Sequence, residues 1–307
     1  MTLTKYNNKS IDLIFTICLT IISLILIPKT IIFMAIVPIL LSLCFYNMGF
    51  LSYLITLILS FSLALLFLPK TYLMTSLIPL AIISLVFIGV ISLRLKTKTQ
   101  FVLGFLSILL IFSFLFKYQM LMDKTNILNM ASELKDMVES AYPISFKLEL
   151  YENTVALFPS LIGIIGLVYS IFAIKTLRNY LSFKNMGISD IDNLNELRVE
   201  KKDLLVILLL MLVIYVILTY FGIKRLYIIN NFIIIIVTIL LINGIFVFDY
   251  SIENSKLPLN GSLKWFFLII LFQILVIPLA IIGFLDVFMD FRKRKKDAKK
   301  WKVHKLK

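Results

Sequence analysis

Nine stretches of this chain run for 16 to 22 residues with almost no charge: 11–28, 31–46, 48–68, 73–93, 101–117, 154–174, 204–222, 227–248 and 265–285. A helix that crosses the hydrocarbon core of a bilayer needs roughly 17–25 mainly apolar residues. The runs therefore predict membrane-spanning helices, and composition agrees with them. The chain is 61% apolar and 16% charged, with a mean hydropathy of +1.01, where a soluble domain is about 45–50% apolar and roughly 25% charged. A water-facing fold could not hide this much hydrocarbon. The predicted fold class is all-α: a polytopic helical protein of the cell membrane with eight or nine transmembrane segments.

The residue counts remove several kinds of chemistry. The one histidine, His304, lies in the C-terminal tail, so histidine metal sites, Ser-His catalysis and histidine proton relays are not expected within the spans. Cys18 and Cys44 sit in separate apolar runs with no partner at ligand spacing, and read as small hydrophobes. No metal, no cofactor and no catalytic residue is expected. Nor is nucleic acid needed to explain the net charge of +14, because the charge is concentrated. From Arg292 onward the tail carries ten of the 31 basic residues against one acid. Basic residues beside a terminal span mark the cytoplasmic side and are drawn to anionic lipid, by about 1 kcal/mol each near the surface. Arg292, Lys293, Arg294, Lys295 and Lys296 are the expected lipid- or partner-contacting residues. The lipid bilayer, its anionic headgroups and another membrane protein are the expected partners. No Ala-x-Ala-like site follows the first run, which is expected to be retained as a helix.

Short breaks separate the early runs: Pro28-Lys29-Thr30, Asn47-Met48-Gly49 and Pro69-Lys70-Thr71. Each carries a helix-stopping residue, so neighbouring helices should form antiparallel hairpins. Segment 31–46 contains Pro38 and should be kinked or short. Residues 118–153 should hold an amphipathic helix, with Ile127, Met130, Leu134, Met137, Val138 and Ala141 at helical spacing. It would lie on the membrane or over the bundle, or else serve as a lid or docking helix. The expected divisions are a six-segment bundle over 1–175 that includes this helix, a charged connection over 176–203, membrane segments over 204–290, and the tail 291–307.

Charge and parity conflict. With the N-terminus inside, the Arg94–Lys98 loop and the 175–203 loop fall inside and the acidic 118–153 loop outside, as the positive-inside rule asks. Three further crossings then place the tail outside. Either one apolar segment of the second half does not cross fully, or the N-terminus is outside. The density of charge next to a span favours a cytoplasmic C-terminus.

Polar residues within the spans are few, and an ionised one near the bilayer centre costs roughly 2.5–3.5 kcal/mol. Asp249 and Asp286 each close an apolar run. Asp286, Asp290 and Arg294 follow at i, i+4 steps, and an Asp290–Arg294 pair would add a few tenths of a kcal/mol. Asp286, nearer the core, reads as a structural anchor or a functional acid. Asn230, Asn231, Asn243 and Gln273 read as interhelical hydrogen-bonding groups or as the lining of a polar pocket. Gly244 beside Asn243 permits close helix approach. Trp265 and Trp301 read as interfacial anchors. The candidate functional polar positions are thus Asp286, Asp290, Asn231, Asn243 and Gln273.

The ending GFLDVFMDFRKR resembles the closing motif of the YybS-like family of bacterial membrane proteins. FPSLIGIIGLVYSIFAIKTLRNYLSFKNMGI is similar to that family's Pro-led sixth helix. NFIIIIVTILLINGIFVFDY is similar to a helix in which Asn243 stands where Gln is more usual, and VPILLSLCFYNMGF resembles its early proline segment with one proline missing. The resemblance implies an N-terminal half like the six-helix S components of energy-coupling-factor transporters. Such components bind a small substrate and dock on a membrane partner. The chain has no Walker motif and would not power transport itself.

Two functions follow as expectations. One is substrate binding or a transport-related role, with the 118–153 helix as a lid. The other is a non-catalytic scaffold that recruits envelope or division partners through its loops and basic tail. A third, an aspartyl protease using Asp249 and Asp286, lacks its GxGD motif, because Leu285 stands where Gly is needed.

Overall fold

The computed structural model describes residues 9–30, 32–69, 72–142, 145–189, 191, 194–253 and 272–292. These residues are overwhelmingly helical, and no strand occurs among them. Each of the nine apolar runs falls mainly on helix, the run 154–174 across the break at Leu157 between two helices and the last of them from Phe272 onward. Five helical stretches are long and apolar enough to cross a membrane: Thr75–Ser92, Thr97–Met122, Leu148–Phe183, Lys201–Tyr220 and Arg225–Glu253. Four more are apolar but shorter.

The chain divides into two compact units, and the division differs from the expected one. The first unit is Met1–Asn126 with Leu161–Ile191, and the second is Ile127–Ser160 with Asp192–Lys307. The amphipathic segment thus groups with the C-terminal half. The 176–203 stretch is shared, with residues up to Ile191 belonging to the first unit.

The first unit contains α1 (Lys9–Leu26), α2 (Ile32–Met48), α3 (Phe50–Ala64), α4 (Ile78–Ser92), α5 (Thr97–Met122) and α8 (Phe158–Phe183) from Leu161 onward. Gly49 alone separates α2 from α3. Its φ of 93° is open to glycine at little cost, so a one-residue hairpin link forms there. A π-helical turn at Leu73–Leu77 leads into α4 and ends two residues before Pro79. Proline lacks the N–H that would bond the Thr75 carbonyl, and its ring crowds that carbonyl, so a widened turn is the natural accommodation.

Small hydroxyl residues let these helices pack closely. Thr20, Ser23 and Ser42 bond back to carbonyls of their own helices at 2.7–2.8 Å, which leaves no polar group bare at the interface. Tyr53 inserts between them, with its hydroxyl 3.0 Å from Ser84 Oγ, in a core with Leu24, Val37, Leu41 and Phe61. A Cβ on Gly104 would lie 3.1 Å from Ser170 Oγ, and one on Gly166 would lie 3.0 Å from Ile108, so α5 and α8 also approach closely.

One end of this unit collects the basic loops. Tyr46 reaches Ile88 O and Ser92, and Asn47 donates to Tyr180. Arg178 on α8, 8% exposed, donates to Ser189 O, Thr97 Oγ1 and Gln100 Oε1 at 2.7–3.4 Å. The Arg94–Lys98 loop and the end of α8 therefore lie together.

The second unit contains α6 (Ile127–Ala141), α7 (Leu148–Ala156), a 3₁₀ turn (Leu194–Glu196), α9 (Lys201–Tyr220), α10 (Arg225–Glu253) and α11 (Phe272–Met289). The expected amphipathic helix is α6, and its apolar stripe packs against α7. The stripe centres on buried Ala131, with Ile127, Met130, Leu134 and Val138 beside it. Met137 and Ala141 lie off the stripe and are exposed, contrary to expectation. Along α9, Met211 is the one buried residue, so the rest of this apolar helix presents leucine, valine and isoleucine outward.

Candidate functional site

The chemistry-bearing side chains of the second unit gather where α10 meets the last turn of α11. The approach depends on two glycines. A Cβ on Gly244 would stand 1.8 Å from the Leu279 carbonyl oxygen, and one on Gly283 would stand 1.9 Å from that of Leu240. Both neighbours are backbone and cannot swing away, so only glycine fits at either position.

That contact brings Asn243 (1% exposed) beside Asp286 (0% exposed). Asn243 Nδ2 donates to Gly283 O at 2.8 Å, while its Oδ1 accepts from Arg292 Nη2 at 2.7 Å and from the Val199 amide at 3.3 Å. Asp286 uses both oxygens. Oδ1 accepts the Phe291 amide at 3.0 Å, and Oδ2 accepts Arg292 Nη2 at 2.6 Å. Arg292 Nη1 donates to the carbonyls of Asn195, at 2.9 Å, and of Leu197. Arg198 approaches from the same segment. It pairs with Asp290, stands 3.7 Å from Asp286 Oδ2, and donates to the carbonyls of Asp286 and Val287 at 3.0 Å each. Two carboxylates and two guanidiniums thus neutralise one another through charge-assisted hydrogen bonds, while Arg198 Nε and Arg292 Nε are buried without a hydrogen-bond partner.

The local backbone explains why the motif reads Asp-x₃-Asp-Phe-Arg. Helix α11 ends at Met289, and Asp290 takes φ 51°, a left-handed turn that Asp tolerates better than most residues. The reversal puts the Phe291 amide over the Asp286 carboxylate and folds Arg292 back beneath it. Two expectations are corrected here. Asp286 and Asp290 do not share one continuous helical face, because the helix ends at Met289, and Asp290 pairs with Arg198. Arg292, expected in lipid contact, is 5% exposed and held inside the protein. Lys293, Arg294, Lys295 and Lys296 lie outside the described residues, as do Trp265, Trp301 and the side chain of Gln273.

Asn195 extends the network. Its amide donates to Asp249 Oδ2 at 3.0 Å and to Glu253 Oε2 at 2.6 Å, both on the last turns of α10. Asp249 and Asp286, the pair the protease reading requires, are thus held by different donors, Asn195 and Arg292.

Asn231 works at the other end of α10, at the break between α7 and α8 that precedes Pro159. It accepts the Ser160 amide at 2.8 Å and donates to the carbonyls of Ala156 and Tyr227, also at 2.8 Å. One amide side chain caps the end of α7 and the start of α8. Nearby, Lys224 and Tyr227 both donate to Glu152. The Glu152 hydrogen bond, then that of Tyr227, holds the Lys224 ammonium above its ordinary range.

Residue reasoning missed Arg198 and Asn195, which lie in the stretch read only as a charged connection. The proximity of Arg292 to Asp286, six positions away, was the available signal for the tail root. Comparisons with protein-family models, with curated proteins and with solved structures returned no match for this chain.

Proposed function

We propose that this chain is a non-catalytic, multi-pass scaffold of the cell membrane, which recruits partner proteins through its loops and through a basic tail held against anionic lipid on the cytoplasmic side. The observation that carries this reading is how the polar network of the second unit turns inward. Asp286, Arg198, Arg292 and Asn243 bond chiefly to one another, to Asp290 and to backbone groups, as a structural joint does, with the buried Arg198 Nε and Arg292 Nε left without a hydrogen-bond partner. A site built for a polar ligand keeps convergent groups turned toward the ligand.

A second reading, substrate binding or a transport-related role, is favoured by a different observation. The first unit gathers six apolar helices, the number in an S component, and the resemblance to the YybS-like family belongs with that reading.

The full chain purified in mild detergent separates the two. The scaffold reading expects a stoichiometric protein partner, retained by the natural chain and lost when Lys295, Lys296, Lys299 and Lys300 are changed to Gln. A bound small molecule with no protein partner would overturn it in favour of the second.

A further inference from the structure

We infer that the basic tail leaves the protein on the same side of the membrane as the start of α9, because α10 and α11 end together; this rests on reading α9 and α10 as membrane crossings.

Three observations place the ends. Asn195 holds Asp249 and Glu253 at the end of α10 with its side chain, while its carbonyl accepts Arg292, three residues beyond α11. Arg198 binds the last-turn carbonyls of α11, and the Val199 amide binds Asn243 of α10. The segment 195–199, which leads directly into Lys201 of α9, therefore touches the final turns of both helices. The glycine contact supplies the crossing point. Gly244 faces the Leu279 carbonyl and the Gly283 amide, and Gly283 faces the Leu240 carbonyl and the Gly244 amide, so the helices cross where 244 meets 283. Beyond that point Asp249 and Glu253 on one side, and Asp286 and Arg292 on the other, all meet the segment 195–198, so the two helices run the same way.

The far end is marked independently. The α9–α10 turn carries Lys224, which is tied with Tyr227 to Glu152. Helix α9, with 20 residues, is about 30 Å long, and α10, with 29, is about 43 Å. Each can traverse a hydrocarbon core of about 30 Å.

The count now follows from end points alone. Helix α9 leaves the side of residues 195–200, α10 returns to it, and α11 finishes beside the end of α10. Whatever path residues 254–271 take, the chain makes an even number of crossings between Lys201 and Arg292. Between Glu253 and Arg292 the chain adds no net crossing. This removes the conflict between charge and parity. The 176–203 connection and the tail, with five and ten basic residues, share one side, as the positive-inside rule asks.

The test uses the full chain in intact cells, with Cys18 and Cys44 changed to Ala and single cysteines introduced as Lys202→Cys, Phe221→Cys or Lys307→Cys. Lys202 and Phe221 are well exposed, so each substitution leaves the packing alone. A membrane-impermeant maleimide is applied before and after permeabilisation. Positions 202 and 307 are expected to share one labelling pattern and position 221 to show the opposite one. A pattern at 307 that matches 221 would overturn the inference while leaving the crossings in place. A shared pattern at 202 and 221 would overturn both the inference and the crossings beneath it.

Discussion

Asp286→Asn isolates what the buried network contributes. The side chain is fully enclosed, so the change acts on its contacts and barely on volume. In the natural protein one oxygen takes the Phe291 amide at 3.0 Å and the other takes Arg292 at 2.6 Å. An asparagine amide keeps one acceptor and puts an N–H where the second stood. Turned either way, it sets a donor against a donor, at Phe291 or at Arg292. It also removes the negative charge that Arg292 pairs with and Arg198 approaches. Breaking a buried pair at one partner costs about 3–5 kcal/mol, and the enclosed geometry here places the cost in that range. Asp290→Asn removes a charge whose side chain is 27% exposed, against an Arg198 that is 22% exposed, and should cost about 1 kcal/mol. The assay is denaturant unfolding of the detergent-solubilised protein, with amide exchange read at Val199 and Phe291. Asp286→Asn should speed exchange at both amides, because Arg292 ties the 195–199 segment to the end of α11. The double variant Asp286→Asn/Arg292→Gln should cost less than the sum of the two single changes, since it removes both charges of the pair. A loss under about 1 kcal/mol for Asp286→Asn, well below the buried-pair range, with unchanged exchange at Val199, would refute the argument.

Two further outcomes follow from the packing. Gly283→Ala places a methyl 1.9 Å from the Leu240 carbonyl, so α10 and α11 must separate. The loss should reach or exceed about 3 kcal/mol and appear as aggregation or degradation on size exclusion, whereas Gly89→Ala, with nothing within 4 Å, should be silent. Asn231→Ala strands the Ser160 amide and the Ala156 carbonyl and should cost about 1–3 kcal/mol. Its signature is faster exchange at Ser160, and unaltered exchange there would remove the capping role.

How far the residues speak for themselves varies along the chain. The break at Gly49 and the helix at 127–141 were legible, because a glycine hinge and a 3.6-residue period are local properties. Asn231 and Asn243 were recognisable as interhelical groups, since an amide within an apolar run needs a partner. Their partners were not recognisable: Asn231 reaches Ser160, 71 positions away, and Arg198 reaches Asp286, 88 positions away. The left-handed turn at Asp290 was also hidden. An i, i+4 series of charged residues reads as a continuing helix until the Asp286 carboxylate captures the Phe291 amide.

The sequence by itself determined that this protein is helical and that its helices suit a lipid solvent, because run length and apolar content set the free energy of each segment separately. It determined where most helices stop, through proline and glycine acting on their own neighbours. Only the tertiary structure decided which charges face one another and which stretches of chain form a unit. Arg292 carries the same charge in a lipid-facing tail as in a closed joint, and local sequence does not separate the two. The difference lies in the Asn195 and Leu197 carbonyls, brought to it across 97 and 95 positions of chain by the packing of two glycines.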